Sequence, residues 1–347
     1  MQKKNMSEGK NFKKVFKVRR CPMVSLNDIA KLAGVSKSTV SRYLNNGSVS
    51  EKTKEKLQKI IKETGYQPNV YAQSLKAERT HLIGVVIPRF RSPSTNDALK
   101  MMDRMAYNNN LQLVIMNSDL NSNRTLENIR QLERQRVDVI VLFATQMTEE
   151  LKEAVSNSKT PIIVVGQQFE DVTSYIYDDY DAGRQMARYA DELGHHHFLF
   201  VGVSETDQAV GVERKKGFYD YFKDRDVQID FVETSFSREE AYQKALKFLP
   251  NLKATYIVAA TDHIALGILN ACRSLKLNVP DDVSLSGFGG YDEAQYVVPS
   301  ITTVNYNFAQ MGQWVMKRVL DLGEETSSEL VVKPVYLTKG TSTKRVN

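Results

Sequence analysis

The side chains able to do chemistry in this 347-residue chain suit binding better than bond-making. His195, His196 and His197 stand side by side, but consecutive positions do not orient three imidazoles onto one metal. A loop after a helix that ends near Gly194 is their expected setting. Cys21 and Cys272 are too few for a disulfide framework or a Cys-based zinc site, and they suit a reducing compartment. There is no GxxxxGK[ST] loop and no GxGxxG turn after a first strand, and "GFGG" (287–290) is too generic for a nucleotide fingerprint. No nucleophile–base pair stands out. The sequence therefore predicts no catalytic set, no metal and no cofactor.

What the chain offers instead is unevenly placed charge. Its net charge is +6, yet residues 1–23 carry eight Lys/Arg against Glu8 alone, and residues 24–80 carry ten against five Asp/Glu. The rest, 81–347, is net acidic, with 29 basic and 35 acidic residues. A basic head on an acidic body points to a polyanion-binding module joined to something else. With 25% charged and 41% hydrophobic residues the composition is that of a folded globular protein of two or three units. No apolar run approaches the roughly 18 residues of a membrane helix. Residues 1–23 lack the apolar stretch of a secretory signal, so a cytoplasmic location is expected. That segment reads as a disordered basic extension, or as vector- or annotation-derived sequence ahead of a true start at Met23.

The elements that must position the basic head follow at once. Leu26, Ile29, Ala30 and Ala33 fall at helical spacing until Gly34 interrupts them. Ser36 can cap a second helix, Lys37–Leu44, with Val40 and Leu44 inward. A third follows Ser50, carries Leu57, Ile60 and Ile61, and stops at Gly65. A small Ala30, a turn-forming Gly34 and a space-filling Val40 are what a helix-turn-helix requires.

The full string "LNDIAKLAGVSKSTVSRYLNNGSVSEKTKEKLQKIIKETGYQPNVYAQSLK" closely resembles the DNA-binding head of the lactose-repressor (LacI/GalR) family. The resemblance covers the head almost continuously and the rest of the chain more loosely. It implies that the second helix enters the major groove of an operator. Lys37, Ser38 and Arg42 would then face base edges, and Ser36, Thr39 and Ser41 would hold phosphates. In "NVYAQSLKAERT" the resemblance implies a hinge helix, with Asn69 contacting DNA and Leu75 wedged into the minor groove. The competing reading of Leu75 is ordinary linker packing. The expected domains are a helix-turn-helix head over 24–68, a hinge and linker over 69–80, and an effector-binding and dimerisation domain over 81–347.

The body alternates strand-like runs with amphipathic helices. "LIGVVI" (82–87), "LQLVIM" (111–116), "VDVIVLF" (137–143) and "PIIVV" (161–165) form one series. "FLFVG" (198–202), "QIDFV" (228–232), "TYIVAA" (255–260) and "VSLSGF" (283–288) form another. The pattern predicts an α/β fold of two similar lobes, each a parallel sheet covered by helices on both faces. A last strand-like run reads "VVKPVYL".

The body also resembles the family's effector domain, with the two-lobed fold of periplasmic sugar-binding proteins. "DDYDAGRQMARYADELGH" (178–195), "VERKKGF" (212–218), "ATDHIALGIL" (260–269), "VPDDVSLSGFGG" (279–290) and "PSITTVNYN" (299–307) carry it. It implies a ligand cleft between the lobes at the carboxyl ends of the strands. Arg214 matches the family's cleft arginine and Phe236 an aromatic platform. Thr261 and Asp262 match ligand contacts, and Thr145 and Gln167 follow strand ends facing the same cleft. The competing readings are a surface ion pair for Arg214, a helix cap for Asp262 and core packing for Phe236. Two positions depart from the family. Gly289 and Gly166 stand where acidic ligand contacts are common, so the effector does not carry over from better-known members. "GFGGY" is similar to strings in repressors of disaccharide use in Gram-positive bacteria, sucrose repressors among them.

The resemblance implies a sugar-responsive repressor that binds a pseudo-palindromic operator as a homodimer and is released by sucrose or a related fructoside. No terminal heptad repeat is present, so a tetramer is not expected. The alternatives are a regulator working through a protein co-regulator, and a sugar-binding protein without a regulatory role.

Overall fold

A computed structural model describes residues 24–44, 47–66, 79–145, 148–322 and 327–346. The described residues up to Thr80 and those from His81 onward form two compact units.

The head is three short helices whose ends are locally enforced. Helix α1 (Leu26–Ala33) starts at Ser25, whose Oγ accepts the Asp28 N–H at 3.3 Å while the Asp28 carboxylate accepts the Ser25 N–H at 2.9 Å. This reciprocal capping satisfies two donors that the helix itself cannot. It stops at Gly34, whose φ of 64° turns the chain left-handed and lets its N–H reach the Ala30 and Lys31 carbonyls. Helix α2 (Lys37–Leu44) is capped by Ser36, whose Oγ accepts the Thr39 N–H at 3.2 Å. Helix α3 (Glu51–Thr64) closes the unit. Ile29, Ala30, Ala33, Val40, Leu57 and Tyr66 form the core, with Leu44, Ile60 and Ile61 packed against it.

The body contains two sheets. The first runs β11-β5-β4-β3-β1-β2 and is parallel throughout. Its members are β1 (Leu82–Ile87), β2 (Gln112–Asn117), β3 (Val139–Phe143), β4 (Ile162–Val165), β5 (Ser174–Tyr177) and β11 (Leu330–Lys333). The second runs β12-β10-β9-β8-β6-β7. It holds β6 (His197–Gly202), β7 (Gln228–Glu233), β8 (Tyr256–Ala259), β9 (Ser284–Gly289), β10 (Thr302–Asn305) and β12 (Tyr336–Thr338). Only β12 among these pairs antiparallel, against β10.

The near-continuous apolar strands follow from burial on both faces. In β1, Ile83, Val85 and Ile87 pack with Met102, Met311 and Val315 on one side. Val86 packs with Ile129, Leu132 and Leu142 on the other. An aromatic core of Phe198, Phe200, Phe218, Tyr256 and Phe288 fills the second lobe.

The structure corrects the strand reading in two respects. Each lobe carries six strands among the described residues, not about four; β5 and β10 are only four residues long, which blurs their pattern. "VVKPVYL" is two strands rather than one. Pro334, which has no N–H to give a ladder, divides them, so that β11 joins the first sheet and β12 the second. The chain thus passes between the lobes after β5, after β10 and after β11.

Candidate functional site

In the head, α2 turns Lys37, Ser38 and Arg42 to solvent, while Thr39 and Ser41 are half-buried. The hydroxyls of Ser36, Ser38 and Thr39 cluster at the helix start, with Ser36 Oγ 2.7 Å from Ser38 Oγ and 2.9 Å from Thr39 Oγ1. Ser36 is exposed but already spends an acceptor on the cap. Sequence reasoning passed over Gly47. Its N–H donates to the Arg42 carbonyl at 2.8 Å, and a Cβ there would lie 2.6 Å from Arg42 Cγ. Only a residue without a side chain lets the chain close over the Arg42 stem. Asn69 and Leu75 lie outside the described residues.

In the body, the carboxyl ends of both sheets meet around a cavity of ≈ 170 Å³. Thr145 follows β3, Gln167 follows β4, Phe236 follows β7 and Thr261 follows β8; all four line it, as does Arg214. Arg214 is buried, its guanidinium 4.8 Å from the Phe288 ring centroid and 4.9 Å from that of Tyr306. Its Nε and Nη2 donate to Asp179 Oδ1 at 3.1 and 2.5 Å, and Nη1 donates to the Ala260 carbonyl. Two of the five guanidinium N–H groups remain for a ligand. Tyr306 Oη donates to the same Asp179 oxygen at 2.6 Å, which leaves Asp179 Oδ2 as an acceptor.

This ion pair depends on close helix packing. A Cβ on Gly183 would fall 2.1 Å from the Arg214 carbonyl, and one on Gly217 would fall 1.9 Å from the Tyr180 carbonyl. The helices Asp179–Glu192 and Arg214–Tyr221 therefore touch backbone to backbone.

Asp262 does not line the cavity. It is wholly buried, with Oδ2 accepting the Gly290 and Tyr291 N–H groups at 2.7 and 2.9 Å and Oδ1 accepting the Thr303 hydroxyl at 2.6 Å. Its carboxylate anchors the loop after β9, while Thr261, not Asp262, caps the helix Asp262–Ser274. Burial pushes the Asp262 carboxyl up to about 6, against those three donors. Because the folded value exceeds the unfolded one, the stability this group contributes is complete below about pH 4 and is lost as pH rises through 6. The loss over that window is about 3 kcal/mol. An Asn can keep all three contacts, since the Thr303 hydroxyl can accept where it now donates. Asp262→Asn is therefore expected to abolish this part of the pH dependence in urea unfolding, and an unchanged slope between pH 4 and 7 would count against it.

Gly166 and Gly289 bring no carboxylate to the cavity, but two reach it from elsewhere in the fold. Asp179, after β5, and Asp207, after β6, both line the cavity. Asp207 caps the turn that begins at Gln208, accepting the Val210 N–H at 2.9 Å, and burial raises its pKa. Gly289 has a reason of its own. With φ at 140°, a Cβ there would meet the Tyr291 ring at 2.8 Å, so glycine lets that ring form part of the wall. Tyr306 and Phe308, stacked within 6° of parallel, also line it.

Arg89, after β1, reaches in from the first lobe with its guanidinium 4.6 Å over the Phe236 ring. Sequence reasoning missed Arg89, Asp179, Asp207, Tyr291 and Tyr306. Three of them lay in strings already singled out: Asp179 in "DDYDAG", Tyr291 in "GFGGY" and Tyr306 in "PSITTVNYN".

The histidine triplet binds no common point. His195 contacts Thr255 Oγ1 at 2.8 Å and the Lys344 carbonyl at 3.0 Å, while His197 reaches Asp230 at 2.9 Å. No cluster of metal-ligating residues occurs among the described residues. No described helix is long and apolar enough to cross a membrane.

Residues 25–69 match the model of bacterial regulatory proteins of the lacI family, and residues 187–343 match that of the periplasmic binding protein-like domain. The chain is 40% identical over 300 residues to the sucrose operon repressor of Staphylococcus xylosus, covering 86% of this chain and 93% of that one. It is 30% identical to the HTH-type transcriptional regulator DegA of Bacillus subtilis, over 83% of this chain and 88% of that one. Its fold matches a crystal structure of the lac repressor dimer bound to operator and an anti-inducer, with a TM-score of 0.82 and 24% identity, covering 92% of this chain and 99% of that one. The chain belongs to the lacI family of bacterial regulatory proteins.

Proposed function

We propose that this protein is a transcriptional repressor of a sugar-utilisation operon, acting in the cytoplasm and without catalytic activity. The observation that carries the reading is the coexistence in one chain of two parts. One is a helix-turn-helix presenting Lys37, Ser38 and Arg42; the other is a cleft pairing guanidinium and carboxylate groups with aromatic faces. Neighbouring sugar hydroxyls need a planar donor beside an acceptor, and the C–H face of the ring needs an aromatic wall. Arg214, Asp179 and Tyr291 offer that combination. The S. xylosus relative supports sucrose or a related fructoside as the effector.

The operating unit is a homodimer with two recognition helices on the half-sites of a pseudo-palindrome and Leu75 of each copy at its centre. Exposed Tyr107 and Tyr296 are among the apolar side chains that a second copy can cover. Sugar in the cleft favours one arrangement of the lobes, and operator affinity falls. Such coupling is typically about 1–3 kcal/mol per effector.

Arg42→Ala tests the head. A bidentate arginine–guanine contact carries about 1–3 kcal/mol of discrimination. Affinity for operator should therefore fall by about 5- to 150-fold, with a much smaller loss on unrelated duplex. Equal losses on both, measured by fluorescence anisotropy, would remove Arg42 from base readout.

A further inference from the structure

Two of the three passages between the lobes carry a residue of the cleft. Asp179 stands two residues past β5 and Tyr306 one residue past β10, and both line the cavity. Their side chains meet there, with Tyr306 Oη donating to Asp179 Oδ1 at 2.6 Å beside the two donors of Arg214. The third passage is tied to the first, because the Asp178 N–H donates to the Lys333 carbonyl at 3.1 Å.

The ring of Tyr306 is shared with the first lobe. It meets Tyr177, the last residue of β5, edge-on with centroids 5.0 Å apart, and it stacks on Phe308 at 5.5 Å. Phe308 opens the helix Phe308–Leu320, whose Met311, Val315 and Val319 pack into the core of the first lobe. Edge-on and stacked contacts are the ones aromatic rings favour, so a shift of one ring displaces the others. Asn307 alone separates Tyr306 from that helix. Its φ of 48° is a left-handed conformation that asparagine tolerates, and its Oδ1 caps the helix by accepting the Gln310 N–H at 3.3 Å. One residue leaves little slack.

The other end of Tyr306 bears on the carboxylate that faces a ligand. Burial raises the Tyr306 pKa well above its ordinary value, so the hydroxyl stays a donor. Asp179 Oδ1 holds three donors, which leaves Oδ2 to accept from a sugar hydroxyl. One delocalised charge serves both oxygens, so a donor at Oδ2 weakens and re-aims the bond at Oδ1.

We propose that Tyr306 is the positioning residue that carries the presence of a ligand from Asp179 to the hinge between the lobes, through its hydroxyl on one side and its ring on the other. The inference rests on the cleft being the effector site. It separates the residues that hold the sugar from the one that reports it.

Tyr306→Phe tests it, because it deletes the hydroxyl and keeps the ring. Operator affinity of the full chain is measured by anisotropy without sugar and with saturating sucrose. Read at saturation, the ratio of the two does not depend on sucrose affinity. In the wild type the ratio should be about 5- to 150-fold. In Tyr306→Phe it should shrink to about twofold or less, while calorimetry still records sucrose binding. Phe222→Leu serves as the comparison, since Phe222 is buried against Phe198 and Phe218 in the core of the second lobe. It should lower the Tm and keep the wild-type ratio. A wild-type ratio in Tyr306→Phe, or an equal loss in Phe222→Leu, would overturn the role of Tyr306 and leave the cleft reading standing. Loss of sucrose binding in Tyr306→Phe would make the hydroxyl a ligand contact and overturn it too. A wild-type operator complex indifferent to both sucrose and fructose would overturn the cleft reading, and the inference with it.

Discussion

Arg214→Ala should leave operator binding intact and make the protein blind to its effector. The same substitution should lower the stability of the body substantially. Arg214 is enclosed between two aromatic rings and donates twice to Asp179, which is itself buried. Removing the cation strands a carboxylate away from water, a change that typically costs about 3–5 kcal/mol. The Tm of the body should fall, while anisotropy on operator DNA without sugar stays near wild type, because the head has its own core. Arg214→Lys separates charge from shape. It keeps the ion pair but loses the planar fork, so it should recover much of the Tm and little of the sugar response. A sugar response that survives Arg214→Ala would show that Arg214 does not hold the ligand.

Gly183→Ala is the second large effect expected, and it alters no polar side chain. The added methyl would lie 2.1 Å from the Arg214 carbonyl and 2.7 Å from the Phe218 amide. Both are backbone atoms, so the two helices must separate. Overpacking of this kind costs about 1–3 kcal/mol. The displacement moves Arg214 away from Asp179, so effector affinity should fall along with Tm. Calorimetry and thermal unfolding read the two effects separately. Wild-type affinity in a destabilised variant would show that the ion pair tolerates the shift and that helix contact does not set the site.

The head was legible nearly residue by residue because its signals are local. Ser25, Gly34, Ser36 and Gly65 act on backbone groups within a turn of themselves, and Val40 is fixed by helical period alone. The parallel strands of the body were legible for a related reason, since burial on both faces makes them continuous apolar runs. The cleft was only half visible. Arg214, Thr261, Phe236, Thr145 and Gln167 could be placed by matching a pattern, and all five line the cavity.

Asp207, Tyr291 and Arg89 come from different strand ends, and only the pairing of the two sheets brings them together. No window of sequence contains that information. Asp262 shows the opposite failure. A carboxylate at the start of a helix after a strand looks the same in sequence whether it faces ligand or backbone amides. Here two loop N–H groups and the Thr303 hydroxyl occupy it. The split of "VVKPVYL" between two sheets was likewise beyond periodicity, although Pro334 marks the break.

The central claim is that a ligand in the cleft controls the grip of the head on DNA. The direct test is fluorescence anisotropy of a labelled duplex from the region upstream of the gene. Protein is bound first, and a panel of mono- and disaccharides and their phosphates is then titrated in. Release by one member, with sucrose or a related fructoside the expected one, would establish the repressor and name its effector together. Anisotropy that stays at the bound level through the whole panel would contradict the account.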